Sequence, residues 1–61
     1  MNMRQFIQLN RAEIDIAINR AAKASGGRTD PAPRRNDRER AEWIRNDEGL
    51  HNWARSEGVK P

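Results

Sequence analysis

The sequence predicts a small all-α domain: three helices, a possible extra short helix at the N-terminus, a Gly/Pro-rich loop and a C-terminal helical hairpin. Three observations predict it. Apolar residues recur at three- and four-residue spacing. Capping residues precede these stretches and glycines follow them. No alternating run, and no hairpin dipeptide between apolar segments, marks a strand.

The clearest helix covers residues 11–24. Ile14, Ala17, Ile18, Ala21 and Ala22 fall at i, i+3, i+4, i+7 and i+8, one face of an amphipathic helix. Asn10 is expected to cap it, with Glu13 completing a capping box and Leu9 and Ile14 forming a hydrophobic staple. Gly26-Gly27 supplies the stop, and Lys23 suits the negative end of the helix dipole. Met3 to Leu9 reads as a separate short helix with Phe6 and Ile7 turned inward. In the rival reading 3–24 is one helix, with Ile7, Asn10, Ile14, Ala17 and Ala21 as a coiled-coil seam. The coincidence of cap and staple favours a break at Asn10.

Residues 25–35 form the loop, where Pro31 and Pro33 exclude regular helix. Asn36-Asp37-Arg38-Glu39 repeats the capping pattern and opens a helix over about 37–46. Asn46-Asp47-Glu48-Gly49 then breaks the chain and caps a last helix over about 48–57, with Leu50, Trp53 and Ala54 on one face. Gly58 ends it in the position of a left-handed C-cap, and Val59 can fold back on the apolar face. The expected core is Ile14, Ile18, Trp43, Ile44, Leu50 and Trp53, with Phe6 beside the tryptophans.

At 61 residues the chain has room for one domain, 1–61, and a domain of this size buries only ~60% of its unfolded surface. It has no cysteine, so disulfides and thiolate metal sites are excluded. His51, the one histidine, cannot build a zinc site without several carboxylate partners. Association with another chain is the remaining staple. No apolar run approaches the ~20 residues that cross a bilayer. Phe6-Ile7 is too short for the apolar region of a signal peptide, so the expected location is cytoplasmic, with no membrane partner.

No catalytic set is expected. Cysteine and tyrosine are absent, Ser25 and Ser56 lie in a loop and near a terminus, and His51 has no evident nucleophile to serve. Asp47-Glu48 sits where a helix start favours negative charge. No Walker, Rossmann or calcium-loop pattern occurs, and no cofactor is expected.

The candidate binding residues are Arg34, Arg35, Arg38, Arg45, Trp43 and Ile16. Net charge is +3, and ten of the 12 basic residues are arginine. The pI near 10.6 permits nucleic-acid binding. Between Arg20 and Arg45 eight basic and four acidic residues give +4, against −1 over the rest. Arg34, Arg35, Arg38 and Arg45 follow or flank the loop, and Arg38 and Arg45 are one heptad apart. They read either as a solvated surface with local ion pairs such as Asp37–Arg40 and Arg38–Glu42, or as a patch for phosphate or carboxylate. Trp43 neighbours Ile44, and adjacent helical residues point about 100° apart. Trp43 is therefore the tryptophan with more claim to exposure. Ile16 lies off the main stripe near Ala12, on a second face that suits a dimer or a bound partner. The acids Asp47 and Glu48 would repel phosphate at the start of a recognition helix, which counts against DNA reading by the last two helices.

The stretch Asn46-Asp47-Glu48-Gly49-Leu50-His51-Asn52-Trp53-Ala54-Arg55-Ser56-Glu57-Gly58-Val59 resembles the ending of small uncharacterised proteins of tailed bacteriophages and prophages. The opening Phe6-Ile7-x-x-Asn10-Arg11-x-Glu13-Ile14-Asp15 is similar to theirs too. The resemblance covers both helical ends but not the Gly/Pro loop, and it carries no residue-by-residue activity. It implies a phage accessory protein in a bacterial cytoplasm, of the kind that redirects a host protein or coats or reads DNA.

The expected function is therefore non-enzymatic: an adaptor or inhibitor that docks on a host protein. A nucleic-acid-binding module using the same arginines is the alternative, and a structural component that self-associates through the first helix is a third. Alanine at Arg34, Arg35 and Arg38 is expected to weaken docking without unfolding the chain.

Overall fold

Four helices follow one another in a computed structural model that describes residues 1–24, 26 and 35–60: α1 (Met3–Leu9), α2 (Arg11–Ala24), α3 (Asp37–Asn46) and α4 (Glu48–Ser56). The expected loop over 25–35 lies outside the described residues except for Gly26 and Arg35, and Arg34 lies outside them. Among the described residues there is no strand.

Three of the four helix starts are capped by a side chain. Asn2 caps α1 through a reciprocal box: its Oδ1 accepts from the Gln5 backbone N–H at 2.8 Å, and the Asn2 N–H donates to Gln5 Oε1 at 3.0 Å. Asn36 Oδ1 accepts from the Glu39 N–H at 2.8 Å to start α3. Asp47 Oδ2 accepts from the Leu50 N–H at 3.0 Å to start α4.

The break at Asn10 is present, but its chemistry differs from the expected capping box. Asn10 ends α1 rather than capping α2. Its backbone N–H and its side-chain amide both donate to the Phe6 carbonyl at 3.1 Å. With φ −125° and ψ 24°, its backbone is not in the extended conformation an N-cap adopts. The Asn10 carbonyl accepts from the Ile14 N–H at 2.8 Å, so the chain turns from one helix into the next with little interruption. The expected staple is not made either: Leu9 is 71% exposed while Ile14 is fully buried.

The end of α4 is a Schellman motif. Gly58, at φ 78°, turns the chain; its N–H donates to the Arg55 carbonyl and that of Val59 to the Ala54 carbonyl, both at 3.0 Å. Val59 is thereby folded back and buried beside Ala54.

The core comprises Phe6, Ile7, Ile14, Ile18, Ile44, Leu50, Ala54 and Val59, so every helix contributes. The short first helix is thus a full member of the fold, supplying the one fully buried aromatic ring among the described residues. Trp43 and Trp53, expected inside, are half-buried and pack against this core. Trp53 meets Phe6 edge to face, with ring centroids 4.9 Å apart and planes at 74°, the arrangement aromatic quadrupoles favour.

Truncating Phe6 should therefore cost about 3–5 kcal/mol, comparable with the whole stability a core of this size supplies. In a thermal melt followed by circular dichroism, Phe6→Ala should lose its cooperative transition. Leu9→Ala, also in α1 but exposed, should melt like the parent.

Candidate functional site

Two constellations of charge occur, and they behave differently. The first faces inward. Asp15 and Asn19, one turn apart on α2, flank the stripe formed by Ile14 and Ile18. On α3, Arg40 precedes Ile44 by four residues and so shares its buried face. Arg40 reaches across to Asp15 as a fork, its Nε donating to Oδ1 at 2.9 Å and its Nη2 to Oδ2 at 3.1 Å. Its Nη1 donates to Asp37 Oδ1 at 2.8 Å. Arg35 joins from the other side, with Nη1 donating to Asp15 Oδ1 and Nη2 to Asn19 Oδ1, both at 2.9 Å. Arg11 lies 3.7 Å from Asp37 on the outside. Among the described residues no buried side-chain nitrogen or oxygen lacks a hydrogen-bond partner.

These contacts set the protonation of the network. Hydrogen bonding to Arg40 is the largest influence on Asp15, and with Arg35 it holds the carboxyl below its usual range against the opposing effect of burial. Arg40 is raised chiefly by its bond to Asp15.

The second constellation faces outward. A groove of about 460 Å³ lies where the start of α1, the end of α3 and the second half of α4 meet. Met3 makes an apolar wall above a floor of the buried residues Ile44, Ala54 and Val59; Arg45, Arg55 and Lys60 supply cations, and His51 completes the lining with Gly58. On α4 the spacing explains the set, because His51, Ala54 and Arg55 fall at i, i+3 and i+4. The Schellman turn then brings Val59 and Lys60 back to the same place. Among the described residues no acidic side chain lines the groove. Arg45 and Arg55 stand in the last turns of α3 and α4, where helix dipoles favour positive charge. Among the described residues neither they nor Lys60 forms an ion pair.

The candidate residues read from sequence thus separate. Arg45 lies at the groove. Arg38 is exposed on α3. Arg35 has its side chain only 10% exposed and committed to Asp15, so its guanidinium is structural and not the free surface cation expected of it. Trp43 is half-buried against the core, and Ile16 is 53% exposed on α2. Arg34 lies outside the described residues. Sequence reasoning missed Met3, His51, Arg55 and Lys60 as a group. The signal was present in the Gly58 turn: folding Val59 back carries Lys60 with it.

The comparisons supply no relative: no protein-family model, curated protein or solved structure matches the chain. Among the described residues, no group of three or more His, Asp or Glu side chains is placed to hold a metal ion, and no helix is long and apolar enough to cross a membrane.

Asp15→Asn should destabilise the fold by about 2–3 kcal/mol, since it leaves Arg40 largely buried with only Asp37 as an anionic partner. Because the folded-state pKa of Asp15 is depressed, its contribution is fully present above the ordinary aspartate range. It is lost as pH falls from there through the folded value. Urea melts from pH 6 down to pH 2 should show the parent losing stability below about pH 4. Asp15→Asn should show a shallower acid slope. Arg35→Ala should also lower stability, so weaker docking by that variant would not by itself identify a contact.

Proposed function

We propose that this chain is a small non-enzymatic accessory protein that acts by docking on another protein, as an adaptor or inhibitor. The observation that carries the reading is the groove, where apolar walls meet three cations that have no ion-pair partner among the described residues. Apolar surface framed by arginine is the composition of an interface patch. The phage resemblance of both helical ends supplies the context: a protein of the bacterial host, met in the host cytoplasm.

Two observations favour other readings. Arg38 and Arg45, both exposed and one heptad apart, support nucleic-acid binding, with the net charge of +3 behind them. Ile16, 53% exposed on α2, supports a homodimer through that helix.

Affinity capture with the tagged 61-residue chain, from bacterial lysate with and without nuclease, separates these readings. The expected result is one host protein at stoichiometric yield that survives nuclease treatment. Recovery dominated by nucleic acid and lost with nuclease would promote the arginines to a phosphate-binding surface. Light scattering of the purified chain should give a monomer. A dimer abolished by Ile16→Asp would favour self-association.

A further inference from the structure

We infer that the groove between α1, α3 and α4 binds a short acidic amphipathic segment of a protein partner, with an apolar side chain seated against Met3 over a floor of Ile44, Ala54 and Val59 and flanking carboxylates on Arg45, Arg55 and Lys60. The inference rests on the protein-docking reading above and names the chemistry of what docks.

Charge complementarity carries it. The end of α3, the end of α4 and the chain just beyond Gly58 each bring one cation to the same concavity, and among the described residues no acidic side chain lines it with them. Elsewhere three arginines are paired, while exposed Arg4, Arg20 and Arg38 form no ion pair among the described residues. Arg35 and Arg40 share Asp15, Arg40 also takes Asp37, and Arg11 lies beside that same acid. The groove cations make no such pair among the described residues, so their counter-charge must come from solvent or from a ligand. Guanidinium groups match carboxylates as planar forks. Apolar walls beside them exclude water once occupied and strengthen the attraction.

The walls also decide the class of ligand. Met3, Ile44, Ala54 and Val59 are aliphatic, and neither tryptophan lines the groove. Single-stranded nucleic acid binds where bases find aromatic faces and the backbone finds a track of cations. This groove offers apolar depth and a cationic edge instead. Its volume of about 460 Å³ falls within the range of roughly 300–1,000 Å³ typical of pockets that enclose a small ligand. The seated portion is therefore a few side chains, and the carboxylates lie to either side of it.

The test is selection of a random dodecapeptide library on the immobilised 61-residue chain, followed by titration of the selected peptides. The expected consensus is one or two large apolar residues flanked by Asp or Glu. Binding should fall at least tenfold in the double variant Arg45→Glu, Arg55→Glu, whose thermal melt verifies folding. A peptide with its acids changed to lysine should bind that double variant better than it binds the parent. Amide shifts on titration should centre on Ile44, Arg45, Ala54, Arg55 and Val59. Selected peptides without acid enrichment, an absence of any enrichment, or an undiminished affinity for the double variant would each overturn the inference. So would oligo(dT) displacing the peptide from these residues at lower concentration than the peptide itself. A host protein captured from lysate that binds the double variant normally would overturn the groove assignment and leave the protein-docking reading intact. Capture of nucleic acid alone would remove that reading itself.

Discussion

The fork that Arg40 presents to Asp15 ties α2 to α3, two helices separated by the longest connection in the chain. Taking a guanidinium out of water is costly, and it is tolerated here because three nitrogens of Arg40 find carboxylate oxygens at 2.8–3.1 Å. The pair is directional where the isoleucine core is not. Ile14, Ile18 and Ile44 could slide past one another at modest cost, whereas a two-point fork fixes both the separation and the rotation of the helices. The orientation of α3 set in this way determines where its last turn, with Ile44 and Arg45, meets α4.

That division runs along α3 itself. Its first half, through Asp37 and Arg40, belongs to the interior network; its second half, through Ile44 and Arg45, belongs to the core and the groove. Network and groove share no residue. Ten arginines in a chain of 61 residues suggest a single basic surface when read by composition alone. In the fold they divide by task. Arg35 and Arg40 act as buried connectors, while Arg45 and Arg55 complement helix ends and line the groove. The number of arginines is thus a poor guide to where this molecule presents free cations, because Arg35 and Arg40 are already paired inside.

The helical architecture was legible because its signals are local. Periodicity marked α2; Asn36 and Asp47 marked the starts of α3 and α4; Gly58 marked the end of α4, and even the return of Val59 followed from the C-cap pattern. Asn10 was read correctly as a break but with the wrong chemistry, since a capping residue between two helices can serve the one before or the one after, and sequence spacing does not distinguish them. The contribution of α1 was underweighted for a related reason. Seven residues are too few to be stable alone, yet Phe6 makes this helix indispensable through contacts with Trp53 that no local pattern records. The pairing of Arg40 with Asp37 was legible from their i, i+3 spacing, but its reach to Asp15 escaped for the opposite reason, because a charged residue on a core stripe is ordinarily assigned to solvent. Only its position four residues before Ile44, facing an Asp that adjoins Ile14, reveals it.

The groove has the same non-local origin, and this bears on how it could work. Its walls come from α1, α3, α4 and the segment beyond Gly58, so it exists only while all four are assembled. A fold this small is marginally stable. A ligand that binds only the assembled state stabilises it by mass action, by about 2.7 kcal/mol at a hundredfold excess over Kd. That increment is comparable with the loss of a core methyl cluster or of the Asp15 network. Recognition and folding are then linked in one direction: whatever seats on Ile44, Ala54 and Val59 also holds α1 and α4 against α3. A chain without cysteine or a metal cluster among its described residues would thus gain from such a ligand a stabilisation that small domains otherwise obtain from those staples.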